Sequence, residues 1–225
     1  MSKKTTLIVA RHGNTFRKGE TPTRVGARTD LPLIENEKGT RIGEYLLNNN
    51  LIPDVIYTSF LARTIQTATL AAKKIGLKEI NLILKDTFNE IDYGIDENKT
   101  EDEVMYRLGF EALNTKGLSS EEYIAKGKEF IDLWNSATVP PNGWNVNVEN
   151  IISSIKEFAQ EVENKYKGKN ILIVSSNGII RFFPHLTKSY KECYEKYGTK
   201  LKTGGITIFE KEENSEFWTC TAWGV

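Results

Sequence analysis

The chain is poor in the residues that mark a metal centre, a disulfide scaffold or a membrane segment. Its 225 residues include two cysteines and two histidines. Cys193 and Cys220 form no Cys-x-x-Cys pair and stand at no metal-ligand spacing, so reduced thiols in a cytoplasm are expected. No apolar run approaches the roughly 20 residues that cross a bilayer. Leu7–Ala10, behind the basic start Met1-Ser2-Lys3-Lys4, is too short for a signal-peptide core. Lys plus Arg and Asp plus Glu both number 30, which leaves zero net charge. Such a chain has no global field to draw it to nucleic acid or an anionic membrane, so any positive site must be local. Internal repeats and low-complexity segments are also missing. These absences predict a soluble cytoplasmic protein with no nucleic-acid or membrane partner.

What remains is an ordinary globular composition, 39% hydrophobic and 27% charged, with length enough for one α/β core and an appended subdomain. Thr6–Ala10 is apolar or β-branched and reads as a buried strand. Strands are likewise predicted at Val55–Thr58, Ile80–Leu84, Asn170–Ser175, Ile206–Phe209 and Phe217–Thr221. Between them, Glu35–Asn48, Phe60–Ile75, Val148–Val162 and the stretch from Ile179 onward have helical spacing. Thr21–Pro32 reads as a loop. This βαβ rhythm predicts one α/β domain over 1–225, a mostly parallel sheet with helices on both faces. A helical insertion at about 100–144 is placed near the crevice, with Trp134 and Trp144 packing it.

Four clusters carry candidate chemistry. Arg11-His12-Gly13 falls at the carboxyl end of the first strand, where open α/β sheets place their ligands. A cation beside an imidazole suits an anionic substrate, and Gly13 lets the backbone approach it closely. In Thr58–Ala68 a strand ends, Ser59 can cap a helix, and Arg63 lies in the first turns, so N–H groups and a guanidinium converge on one anion. In Phe88–Gly94 either Glu90 or Asp92 can act as a general acid if burial keeps it protonated. In Ile171–Arg181 a buried strand runs into Ser176, Asn177 and Gly178, a neutral cradle for phosphate oxygens.

Together these residues resemble the histidine phosphatase, or phosphoglycerate mutase-like, superfamily. Arg11-His12-Gly13-Asn14-Thr15 is similar to its signature, and Gly26–Leu33 to its Gly-Arg-x-Asp-x-Pro-Leu segment. Thr58–Ala68 is similar to its Arg-Thr-x-Gln-Thr-Ala helix, Asn89-Glu90 and Gly94 to its acid-bearing loop. The resemblance implies a phosphohistidine at His12, phosphate held by Arg11 and Arg63, and Glu90 as proton donor. Ser176, Asn177 and Thr15 are expected on the phosphate, with Arg28 and Lys18 as further substrate contacts. No cofactor and no metal is implied, since the arginines supply the positive charge.

One departure stands out. The family usually has a second histidine after the last core strand, and this chain has Ser176. A serine hydroxyl donates a hydrogen bond but brings no charge, and charge-assisted bonds are about twice as strong. His185, nine residues on, is read as structural. The leading expectation is a phosphomonoester phosphatase or phosphotransferase acting on a small phosphorylated substrate. Phosphoglycerate mutase is the catalytic alternative, although Ile91 replaces the arginine of the mutase loop and Lys18 stands where asparagine is common. A non-catalytic phosphate-binding module, suggested by Ser176, is the third.

Overall fold

A computed structural model describes residues 4–137 and 139–225; Met1–Lys3 of the basic start lie outside them. The strands are β1 (Thr5–Arg11), β2 (Val55–Thr58), β3 (Leu82–Leu84), β4 (Asn170–Ser175), β5 (Ile206–Lys211) and β6 (Thr219–Trp223). The helices are α1 (Glu37–Asn48), α2 (Ala62–Lys74), α3 (Glu101–Leu113), α4 (Ser120–Ala137), α5 (Val148–Lys165), α6 (Asn177–Ile180) and α7 (Tyr190–Tyr197). The chain divides into two compact units. The first takes the chain up to Arg17, Leu31–Glu90 and Glu149–Val225; the second takes Lys18–Asp30 and Ile91–Val148.

The first unit is built on one sheet in the order β3-β2-β4-β1-β5-β6. The first four of these are mutually parallel, β5 runs antiparallel to β1, and β6 runs antiparallel to β5. Central parallel strands are covered on both faces and therefore read as unbroken apolar runs. Ile171–Val174 of β4 and Leu7–Ala10 of β1 are fully buried for this reason. One sheet face presents Ile8, Ala10, Leu172 and Val174 to Ile42 and Leu46 of α1 and to Ala68, Ala71 and Ala72 of α2. These two helices lie close because α1 carries Gly39 and Gly43. A Cβ there would stand 2.7 Å from Leu70 Cβ and 2.6 Å from Lys74 Cβ. Elsewhere in the unit Phe158 of α5 meets Tyr57 and Phe88 edge-on, at ring centroids of 5.0 and 4.9 Å.

The helix expected from Ile179 onward is interrupted. α6 is a single turn, a 3-10 turn follows at Phe183–Leu186, and α7 starts afresh after Ser189, whose hydroxyl accepts from Glu192 N–H at 3.2 Å. Pro184 is the physical reason: it supplies no N–H and disfavours a helical residue before it. No helix among the described residues is long and apolar enough to cross a membrane.

In the second unit, α3 and α4 pack backbone to backbone. A Cβ on Gly109 would meet the Tyr123 carbonyl and one on Gly127 the Met105 carbonyl, both under 2 Å. Thr100 closes the start of α3 in a reciprocal capping box with Glu103. Asp96 is buried and accepts from Arg107 Nε (2.8 Å), Arg107 Nη2 (2.5 Å) and Trp144 Nε1 (2.7 Å). Trp134 packs against Trp144 at 5.4 Å, so both tryptophans serve the packing of this unit.

Candidate active site

β1 and β4 are neighbours in parallel register, with Arg11 opposite Ser175. Their carboxyl ends therefore bring Arg11 and His12 beside Ser175 and Ser176, and His12 N–H donates to the Ser175 carbonyl at 3.0 Å. The His12 ring is 7% exposed, and its Nδ1 lies 2.7 Å from the Gly13 carbonyl. A carbonyl only accepts, so Nδ1 carries the proton and Nε2 of the neutral ring keeps its lone pair. Burial first, then the Arg11 and Arg63 guanidiniums, hold the imidazole well below its usual range, against the opposing pull of the Gly13 bond. At neutral pH the ring is therefore neutral rather than a cation.

Arg63, fully buried, is the second residue of α2. Ser59 does not cap this helix directly. Leu61 occupies the cap position, and the Ser59 hydroxyl accepts from Leu61 N–H (3.2 Å) and pairs with Thr64 Oγ1 (2.6 Å). Thr67 joins the helix to the His12 loop: its hydroxyl accepts from Gly13 N–H at 3.0 Å and donates to the Arg63 carbonyl at 2.7 Å. Arg11 is half-buried and donates from Nη1 to the Leu201 carbonyl at 2.6 Å.

Glu90 is 8% exposed, and its Oε2 accepts from Gly178 N–H at 3.3 Å. Two bonds carry its loop to this place. Ser175 Oγ donates to the Phe88 carbonyl (2.8 Å), and Phe60 N–H donates to Asn89 Oδ1 (3.0 Å). Ser176 is fully buried, and its hydroxyl has no hydrogen-bond partner among the described residues. Leaving a buried hydroxyl unpaired costs about 1–3 kcal/mol, which points to an oxygen of a bound anion as its partner. Asn177 Oδ1 accepts from Leu201 N–H at 2.7 Å.

The family model for the histidine phosphatase superfamily (branch 1) matches residues 7–114. Phosphoglycerate mutase 1 of Saccharomyces cerevisiae is 26% identical over 222 residues, 92% of this chain and 87% of that protein. Over residues 7–114, just under half of its length, the chain is similar to the histidine phosphatase superfamily. Bacterial 2,3-bisphosphoglycerate-dependent mutases match about half of this chain and less than half of their own length. The fold is shared with phosphoglycerate mutase from Bacillus anthracis, at a TM-score of 0.71 and 24% identity over 99% of this chain and 94% of that one. It is also shared with a mycobacterial glucosyl-3-phosphoglycerate phosphatase, at 0.71 and 17% identity over 99% of each chain. Histidine phosphatase superfamily members are phosphoryl-transfer enzymes.

Of the remaining candidate residues, Thr15 is half-buried in the loop after β1. Lys18 and Arg28 belong to the second unit, and Lys18 is exposed. Arg28 donates from Nε to Asp92 Oδ1 at 2.9 Å and also to the Gly94 carbonyl. Asp92, the alternative acid, is in the second unit too. Although burial raises its pKa, hydrogen bonds from Asn145 Nδ2, Gly94 N–H and Arg28 outweigh that and hold it below the usual carboxylate value. A carboxyl so held stays charged at neutral pH and has no proton to give. His185 stacks on Tyr190 at 4.2 Å; burial first, then Lys156, push it down to about 4. Among the described residues no group of three or more His, Cys, Asp or Glu side chains is arranged to hold a metal. Sequence reasoning missed Thr67, whose place in Arg63-Thr64-Ile65-Gln66-Thr67 was visible, and the backbone of Leu201, which no residue type announces.

Proposed function

We propose that this chain hydrolyses small phosphomonoesters through a phosphohistidine formed on His12. The observation that carries this reading is the buried neutral imidazole, its Nδ1 bound to the Gly13 carbonyl, with two guanidiniums acting on it. His12 Nε2 attacks phosphorus in line while Arg11, Arg63 and the Ser176 hydroxyl hold the equatorial oxygens, with Asn177 and Thr15 as further donors. Glu90 gives its proton to the leaving alkoxide as the P–O bond breaks. As a carboxylate it then takes a proton from water, whose oxygen attacks phosphorus and breaks the P–N bond. Inorganic phosphate leaves, and His12 is neutral again.

The test compares wild type and His12→Ala on an aryl phosphate in the presence of chelator, with detection of acid-labile phosphate on His12. Turnover by wild type alone, with label on His12, is expected. Equal rates for the two proteins end the proposal.

Phosphoglycerate isomerisation is the second reading, favoured by similarity to the yeast mutase across nearly the whole chain. Against it, Ile91 is a buried apolar side chain and Arg28 is already engaged by Asp92. Turnover of 3-phosphoglycerate to its isomer without net phosphate release favours the mutase. Stabilisation by phosphate with no turnover of any ester favours a binding module, the reading suggested by Ser176.

A further inference from the structure

The segment Thr199–Gly205 between α7 and β5 carries no recognisable motif, yet it is bonded to the nucleophile loop along its length. The Leu201 carbonyl accepts from Arg11 Nη1 (2.6 Å), and Leu201 N–H donates to Asn177 Oδ1 (2.7 Å). Two residues on, Thr203 Oγ1 donates to Asn14 Oδ1 at 2.6 Å. Gly204 N–H reaches the carbonyls of Arg11 and His12 (3.1 and 3.2 Å), and the Gly205 carbonyl accepts from Arg11 N–H (3.0 Å). Leu201 is fully buried, and Gly204 takes a φ of 72°, a left-handed turn that suits glycine.

The consequence is the polarity of two side-chain amides. A primary amide has one accepting end and one donating end. On Asn177 the oxygen is engaged by the Leu201 N–H, which only donates, so that amide does not turn over without losing its bond; on Asn14 the oxygen takes the Thr203 hydroxyl. Neither NH2 group has a hydrogen-bond partner among the described residues.

We propose that Asn14, alongside Asn177, donates a hydrogen bond to a phosphoryl oxygen of the substrate, and that Leu201–Thr203 is the positioning element that engages both amide oxygens and leaves their NH2 groups for the ligand. The proposal rests on the phosphatase reading above and names further contacts in that site. It also gives the two amides a task that suits this chain. Arg11 and Arg63 already depress His12, and another cation would depress it further. Neutral amides and the Ser176 hydroxyl add directed hydrogen bonds without adding charge.

The test measures inorganic phosphate binding by calorimetry, and KM and kcat for p-nitrophenyl phosphate, on wild type, Asn14→Ala, Asn14→Asp, Thr203→Val and Thr203→Ser. Losing a donor to a charged oxygen predicts phosphate binding about 10- to 100-fold weaker in Asn14→Ala. Asn14→Asp keeps the shape and meets the anion with like charge, so at least the same loss is expected. Thr203→Val frees the amide without touching the ligand and should weaken binding by about 2- to 10-fold; Thr203→Ser restores it. A merely structural Thr203 would lower the melting temperature and leave the phosphate affinity of the folded protein unchanged, which overturns the positioning role. Folded Asn14 variants that bind phosphate as wild type does overturn the Asn14 contact while the phosphatase reading stands. Wild type that binds no phosphate removes that reading, and this proposal with it.

Discussion

Replacing Ser176 with alanine should move stability and ligand affinity in opposite directions. The hydroxyl is fully buried and lacks a partner among the described residues, so in the free protein it contributes an unmade hydrogen bond of about 1–3 kcal/mol. Removing one oxygen leaves a hole of roughly 10 Å³, which at ~24 cal/mol per Å³ costs about 0.2 kcal/mol. The alanine protein should therefore gain about 1–2.5 kcal/mol and, for a chain of this size, melt roughly 2–8 °C higher. Phosphate acts in the opposite direction. A donor lost from a charged oxygen weakens binding by about 10- to 100-fold. At a phosphate concentration 100 times its dissociation constant, wild type gains about 2.7 kcal/mol, while the variant gains only about 0.4–1.4. Thermal melts of both proteins with and without inorganic phosphate give both readings in one experiment. An alanine protein that melts lower without phosphate, and is stabilised as much as wild type with it, refutes the argument.

Acid should weaken the fold partly through His185. Its folded pKa of about 4 lies below the ordinary 6.5, so between these values the unfolded chain binds a proton that the folded chain does not, and stability falls as pH drops through that window. His185→Phe keeps the stack on Tyr190 and should shrink the difference in urea midpoint between pH 7 and pH 5; an unchanged difference refutes this. Arg63→Met removes one of the two cations acting on His12, so the ring should titrate higher while burial and Arg11 still keep it below 6.5. Proton NMR of the ring reads this directly, and an unmoved titration would show that Arg63 does not act on it.

The parallel core was legible because its strands are covered on both faces: Ile171–Val174 and Leu7–Ala10 are unbroken apolar runs with nothing else to become. Arg11 and His12 stood out because they interrupt an apolar run at a strand end, and Arg63 because it falls in the first turn of the helix after β2. The break after Ile180 was harder. Apolar residues continue through Phe182 and Phe183, and only Pro184 marks the stop. Segment Lys18–Asp30 showed only as a polar loop, since its bonds, such as Gly26 N–H to Glu97 Oε1 at 2.9 Å, join positions far apart in sequence. The strap at Leu201–Thr203 acts largely through main-chain groups, which every residue carries, so no side-chain pattern gives it away.

The position of β1 in the sheet also bears on how the protein is made. Its two neighbours, β4 and β5, begin at Asn170 and Ile206. A ribosome adding ~5–20 residues per second needs about 8–30 s to travel from the end of β1 to the start of β4. During that interval both hydrogen-bonding edges of an apolar strand wait without their native partners, open to association with other nascent chains. The His12 loop that follows β1 likewise cannot make its bonds to Ser175 and to Gly204 before β4 and the strap ahead of β5 have been synthesised, so a partial translation product has an exposed sticky strand and an unassembled pocket.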